Sequence, residues 1–459
     1  MSTGGRVLLL VPARSYRAAD FIAAAGRMGV DLVVGSDGAL PLGGRPVIPV
    51  NLADPRASTD RLVTRGAPAA AVVAADAPML VLAATVAARL GLPHNPVAAV
   101  RAAADKARQR MRWASAGLAQ PAFRIVPAAA PDDAVRQAAR AVGFPCVVKA
   151  ISLSASQGIL RADDAAAAVA AARRVRLILA QARRPPGEPL LIEAYVPGPE
   201  LSIDGLLPGN DPQPGGPRPS GGLQPGNDPQ PGGPRPGGGL QPGNGPPPGG
   251  GLRPGGGQPA HRGLSVTAVF DKPGTPDGPT FEETMLVTPS RLPGPVLAAA
   301  VDTAGRAARA LGLTHGPVHA ELRLDGQRPV LLELAARSIG GLCSRALRFP
   351  AGLSLEEMVL ASALGRDPGP AVYRQARPTG VFMLPVPRPG TLRAVEGRAA
   401  ASAVPGITGL TITIPVGQRV RPLPDGDRYL GFVFAAADTH HDVERALAAA
   451  RDRLHVVIH

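Results

Sequence analysis

Two glutamates, Glu321 and Glu333, and two lysines, Lys106 and Lys149, are the residues whose types and surroundings point most directly to chemistry. The glutamates lie in VHAELRLDGQRPVLLEL (318–334), where two β-rich runs flank Asp325-Gly326-Gln327-Arg328-Pro329. That pattern predicts a hairpin with a five-residue loop. Centred on Gln327, it pairs Leu324 with Val330, Leu322 with Leu332 and Glu321 with Glu333. One face is then Val318, Ala320, Leu322, Leu324, Val330, Leu332 and Leu334, apolar throughout. The other holds His319, Glu321 and Arg323 across from Ala335, Glu333 and Leu331. Two carboxylates directly opposite each other repel, by up to roughly 1 kcal/mol when solvated. A divalent cation between them reverses that sign, and Mg²⁺ takes such hard oxygen ligands, completed by phosphate oxygens and water. A solvated face on which Arg323 or Arg337 offsets both charges is the other reading, and the hairpin by itself leaves the two open.

The lysines stand out by scarcity. The chain has three of them, Lys106, Lys149 and Lys272, among 49 basic residues. Arginine replaces lysine readily on a surface, but not where a compact ammonium has to meet a phosphate as a point charge. Lys106 opens a helix over Asp105–Gly117, and Lys149 ends an apolar strand, FPCVVKA (144–150). Lys272 follows the strand LSVTAVFD (264–271), with Glu282 and Glu283 close behind. It faces the same cleft, where it binds a substrate carboxylate or forms a salt bridge to either glutamate.

These residues have to be held by the rest of the chain. Residues 6–12 read as a buried strand, followed by a helix over 18–28, a strand over 31–35, and a strand and helix within 70–90. Strand alternating with helix implies a parallel sheet in a small three-layer domain. No GxGxxG follows the first strand, so the dinucleotide fingerprint is absent. From Ala103 onward a second unit carries the lysines, a helix over 163–184, the strand LLIEAY (190–195), and, beyond Pro197-Gly198-Pro199, a strand over 200–207. A helix over 294–312 precedes the glutamate hairpin. Past about residue 378, the short strands 410–417 and 429–435 lead to a helix (441–453) and a last strand (454–458). The domain divisions that follow are 1–103, 104–365 and 366–459.

Into the second unit the sequence inserts PGNDPQPGGPRP at 208–219 and again at 225–236, with a degraded third copy from Pro242. Such a tract has too few apolar side chains to repay ordering. Residues 208–262 are therefore expected to be a disordered insertion between two strands.

Composition excludes several functions. The formal charge is +14, yet arginines are scattered one or two at a time with no basic run, which argues against nucleic-acid binding. No stretch approaches 18 apolar residues, so no membrane span is expected. The apolar run near the N-terminus is too short for a signal peptide. Two cysteines give no disulfide framework. Cys146 reads as a core residue and Cys343 lies near the proposed site, and a reducing cytoplasm is the expected location.

Lys106, Lys149, the strand and hinge LLIEAYVPGPE, and the Glu321/Glu333 hairpin, in that order, resemble the ATP-grasp superfamily. The likeness is to its carboxylate–amine ligases, including L-amino acid ligases, and to the biotin carboxylase-like branch. It spans essentially the whole chain outside the repeats. The fold implied is α/β: a pre-ATP-grasp three-layer domain, an ATP-grasp core of two α+β lobes and a small α+β C-terminal lobe. The cofactors implied are ATP and Mg²⁺, with small-molecule carboxylate and amine substrates and a possible homodimer. By position, Lys106 and Lys149 would hold the α- and β-phosphates. Ile151–Gly158 would be a flap over the triphosphate, with Ser154, Ser156 and backbone N–H groups near Gly158 as donors. Glu193, Ala194 and Val196 would form the adenine hinge, and Glu200 would accept from the ribose. Glu321 and Glu333 would hold the metal, and Arg337 would stabilise the transferring phosphoryl group or anchor a substrate carboxylate. Gly340 and Gly341, in SIGGLCSR, would offer backbone donors to the acceptor. The family's metal-strand ending Glu-x-Asn-x-Arg reads Glu333-Leu-Ala335-Ala-Arg337 here, and Ala335 cannot ligate a metal. Two other functions fit the same pattern: a carboxylase subunit making carboxyphosphate from bicarbonate, and a nucleotide-binding scaffold without turnover.

Overall fold

The computed structural model describes residues 4–40, 46–184, 186–209, 263–274, 278–347, 349–366 and 377–459. The expected disordered insertion lies outside the described residues from 210 to 262.

The N-terminal run VLLLV alternates strictly in what it buries against. In the strand Gly4–Val11, Val7, Leu9 and Val11 pack with the helix Ala18–Arg27. Leu8 and Leu10 point the other way, onto the helices Pro55–Gly66 and Leu80–Arg89. A period of two feeding apolar contacts on both sides requires helices on both faces, hence three layers. The sheet is parallel, in the order Val47–Pro49, Val30–Ser36, Gly4–Val11, Ala71–Ala74.

A second sheet is antiparallel, in the order Phe123–Val126, Leu190–Ala194, Cys146–Ala150, Ile159–Ala162. The helices Asp132–Val142 and Ala165–Gln181 cover one face, burying Val135, Val148, Val175 and Ile192 together. Small alanines along both helices let them approach the sheet closely, which suits a chain with only 3% aromatic residues.

The central sheet has eight strands. From the edge they run Arg328–Ala335, His315–Asp325, Glu200–Pro208, Ser265–Asp271, Met285–Thr288, Thr379–Leu384, Gly431–Ala436 and Ile407–Ile412. The helix Gly294–Leu311 seals one face, burying Val301, Ala304, Ala308 and Leu311 against Ile203, Ala320 and Leu322. The last three strands come from beyond residue 366, so the C-terminal segment extends the sheet of the core. A three-stranded sheet (Arg419–Val420, Gly390–Glu396, His455–Ile458) and the helix His440–Arg451 complete it.

The hairpin differs from its sequence reading in a way that matters. Its turn is two residues, Gly326 and Gln327, so Asp325 faces Arg328 and Leu324 faces Pro329, not Val330. Leu322 faces Leu331, and a bulge at Leu332 then restores the register, so Glu321 still faces Glu333. The shorter loop and the extra residue cancel. The bulge turns Leu331 into the core and leaves Leu332 out of it, the reverse of the simple alternation.

Candidate functional site

Three adjacent strands build a polar face from alternation alone. In Glu200–Pro208 the residues Glu200, Ser202 and Asp204 share one side, while Leu201 and Ile203 enter the core. Register sets Glu200 beside Arg323, Ser202 beside Glu321 and Asp204 beside His319. Beyond them, Glu333 lies across from Glu321.

The two lysines reach this face from neighbouring elements, the Lys106 N–H bonding the Ile151 carbonyl just past Lys149. Asp105 caps the helix Lys106–Ser115 by accepting from the Arg108 N–H, which places Lys106 in its first turn. Its ammonium donates to the Leu153 carbonyl at 2.6 Å and lies 3.1 Å from Glu333. Gln109 fastens the same helix to the hairpin, bonding both the N–H and the carbonyl of Leu334. Lys149 ends its strand 2.6 Å from Glu193 Oε2. Glu193 is fully buried between Lys149 and Arg110, and Arg110 also donates to the Leu332 carbonyl. Burial alone would raise the Glu193 pKa, but Arg110 and Lys149 outweigh it and hold it near 2.

Lys149, Ser156, Glu193, Ala194, Tyr195, Val196, Leu332 and both hairpin glutamates line one recess. It adjoins a larger cavity of about 370 Å³ that contains Ser154, Lys272, Glu321, Glu333, Arg337, Gly340 and Gly341. Lys149, Glu321 and Glu333 thus share one recess, and Lys106, which lines neither space, meets it through Glu333. Gly341 has φ +60°, and a Cβ there would sit 2.7 Å from the Phe432 ring, so glycine is required at this wall. Arg337 donates to the Ser338 carbonyl at 2.9 Å, and its charge reaches Glu321.

Several expected roles need correction. The Gly158 N–H is committed to the Pro424 carbonyl at 3.0 Å, so it is no donor to a phosphate. Ser154 and Ser156 do line the cavity. In the hinge, the Ala194 N–H bonds Ala122 and the Val196 carbonyl accepts from Arg323, which leaves the Val196 N–H as the hinge donor without a partner among the described residues. Glu200 lines the recess but is buried, with one oxygen bonded by Lys272 at 2.8 Å and the other by Arg323 at 2.9 Å, so it also ties these strands together.

Lys272 is not open to a substrate carboxylate. It is caged by Glu200, Glu283 and Glu321, whose oxygens all lie within 4.8 Å of one another. Burial would lower its pKa, but the three carboxylates drive it well above the ordinary lysine value. Burial raises Glu283 to about 7 despite the ammonium beside it. Glu321, also opposed by burial, is held well below the carboxylate range by Lys272, His319 and Arg337.

Sequence reasoning missed Asp204 and Arg110. His319 lies 3.0 Å from Asp204 and 3.4 Å from Glu321, and Asp204 also accepts from the Ile339 N–H at 2.6 Å. Burial alone would lower its pKa, but Asp204 and Glu321 raise it to about 9. The period-two run Glu200, Ser202, Asp204 was the available signal for Asp204. Arg110 carried none, because its partner lies 83 positions away.

Profile comparison matches residues 260–346 to the ATP-grasp domain and residues 382–459 to L-amino acid ligase C-terminal domain 2. A protein of Sinorhizobium fredii, the uncharacterized protein y4rH, is 27% identical over 172 residues, covering 38% of this chain and 36% of that protein. The match thus spans about a third of that relative's length. Among solved structures, the L-amino acid ligase from Bacillus licheniformis superposes with a TM-score of 0.72 at 22% identity, covering 100% of both chains. Carboxyaminoimidazole ribonucleotide synthase from Aspergillus clavatus, solved with ATP, gives 0.69 at 14% identity, covering 99% of this chain and 100% of the other. The biotin carboxylase domain of Hydrogenobacter thermophilus 2-oxoglutarate carboxylase, solved with MgADP and bicarbonate, gives 0.64 at 15% identity, covering 100% and 92%. Likeness at these identities establishes the fold.

Proposed function

From the premise that this chain belongs to the ATP-grasp superfamily of ATP- and Mg²⁺-dependent ligases, we propose that it joins a carboxylate to an amine through an acyl phosphate. The observation that carries this reading is that Lys149, Glu321, Glu333 and Arg337 line adjoining parts of one cleft, with Lys106 paired to Glu333 at 3.1 Å. In this reading Lys106 and Lys149 neutralise phosphate charge as point cations, and Leu332 packs against the nucleotide opposite the hinge.

The donor set fits a magnesium ion. Glu321 and Glu333 are opposed in register, partly open to the cavity, and offer hard oxygens. They would hold the ion, which when bound neutralises phosphate oxygens. Ala335 supplies no further ligand. The remaining steps belong to the chain's own groups. Arg337 faces the charge that develops as a substrate carboxylate attacks the γ-phosphate and releases ADP. The amine then displaces phosphate from the acyl group, giving the amide. The flap, bonded to the C-terminal lobe through Gly158 and Pro424, excludes water that would hydrolyse the acyl phosphate.

The test is ADP release by the full chain with MgATP and a panel of amino acids, singly and in pairs, with hydroxylamine as a trap. Acid-dependent ADP release with hydroxamate formation supports the proposal. Bicarbonate-dependent release with no response to amino acids would transfer the chain to the carboxylating branch. Nucleotide binding without turnover for any acid would make it a scaffold.

A further inference from the structure

Next to the site lies a cavity far larger than an amino acid requires, and its lining is unusual. It is a solvent-open cleft of about 1340 Å³, against the roughly 300–1,000 Å³ that holds a drug-sized ligand. Seven arginines and two aspartates line it, with no lysine or glutamate. Arg14, Arg183, Arg184, Arg419 and Arg421 have no carboxylate within salt-bridge distance among the described residues. Arg184 donates to the Ser152 carbonyl and Arg421 to Gln181, so both are placed without being neutralised. Neither aspartate cancels this surplus. Asp425 is taken by Arg174, and Asp427 lies 3.8 Å from Arg428.

The arginines come from four separate parts of the chain: the loop after the first strand, the end of the helix Ala165–Gln181, the turn Cys343–Ala346, whose Arg345 is paired with Asp20, and the segment 419–428. Like charges that repel across a cleft cost stability unless a ligand of opposite charge occupies it. Arg14, Gln157, Arg184 and Arg428 also line the cavity that holds Glu321, Glu333 and Arg337, so the two spaces adjoin. A molecule reacting beside Arg337 can therefore extend its remainder among the arginines.

We infer that one substrate of this protein is an extended molecule carrying several oxyanions along its length, an acidic peptide rather than a single amino acid. This rests on the ligase reading and names its substrate class. Guanidinium groups pair bidentately with carboxylate and phosphate alike, so the shared chemistry is a row of oxyanions presented by a chain. The reacting end sits by Arg337, and the anionic tail runs towards Arg419 and Arg421.

The experiment compares tetraglutamate, tetraglutamine and a phosphoserine tetrapeptide as substrates of the full chain, each with MgATP and a panel of amino acids as co-substrate. ADP release is followed at low and high salt. The inference expects a KM for tetraglutamate at least about tenfold below that for tetraglutamine, with the advantage shrinking as salt screens it. Reversal of the exposed pair in R419E/R421E raises the tetraglutamate KM by about threefold per charge and moves the tetraglutamine KM little. A preference for the phosphoserine peptide over tetraglutamate supports the same row of oxyanions and assigns its source to phosphate. Equal KM values for charged and neutral peptides, unaffected by salt or by R419E/R421E, overturn the inference. ADP release with single neutral amino acids tests the ligase reading separately, so the two can fail independently.

Discussion

Replacing Glu193 by glutamine perturbs one of the most tightly enclosed charges in the site. Glu193 is 1% exposed, Arg110 is equally buried, and both donate into or accept from a single cluster with Lys149. Its pKa falls from 4.5 to about 2, which corresponds to about 3 kcal/mol of native-state stabilisation of the carboxylate. Breaking a buried pair from one side costs about 3–5 kcal/mol, because the partner charges stay buried. The amide keeps part of the hydrogen bonding, so E193Q should lose about 3 kcal/mol in urea unfolding at pH 7. The pH dependence supplies a second signature. A depressed acid contributes stability that is complete above the unfolded value near 4.5 and is lost as pH falls towards 2. The gap between wild type and E193Q should therefore stay constant from pH 7 to 5 and narrow below about 4.5. A loss under about 1 kcal/mol at pH 7, or a gap that widens on acidification, would refute the cluster as the anchor of Lys149.

Other consequences follow from particular contacts. Because the bulge sends Leu331 inward and Leu332 to the cleft, L331A should cost about 2–5 kcal/mol, while L332A should cost far less and instead weaken ATP binding; equal destabilisation by both would contradict the bulge. His319 has its pKa raised from 6.5 to about 9, so its contribution is complete below about 6.5 and lost as pH rises towards 9. In EDTA, H319N should flatten that alkaline loss, up to about 3 kcal/mol, and an unchanged pH–stability curve would count against the Asp204–His319–Glu321 chain. Removing the ammonium in K272M leaves three carboxylates facing one another. Its melting temperature should fall, and added Mg²⁺ should recover part of the loss; a variant as stable as wild type in EDTA would count against the cage.

The elements that follow local pattern were legible in the sequence. The buried strand at VLLLV, the alanine-rich helices and the opposed glutamates all reappear where the sequence pattern put them. The hairpin shows how a correct pairing can rest on two compensating errors: a turn of two residues and a bulge at Leu332 return Glu321 to Glu333. What stayed hidden depends on distant partners. Lys272 and Glu200 are separated by 72 positions, and whether such a lysine meets substrate or a glutamate is decided by the fold. The arginine-lined cavity was invisible for the same reason. Scattered in sequence, its residues read as a solvated basic surface, and only folding gathers them.

The central claim is that Lys106, Lys149, Glu321 and Glu333 surround one Mg²⁺–nucleotide. Calorimetric titration of ATP with and without Mg²⁺ into wild type, Lys149→Ala and Glu333→Ala, with circular dichroism to confirm folding, tests it most directly. The account predicts Mg²⁺-dependent binding by the wild type and affinity losses of at least about tenfold in each folded variant. Binding of equal strength in all three proteins would contradict it.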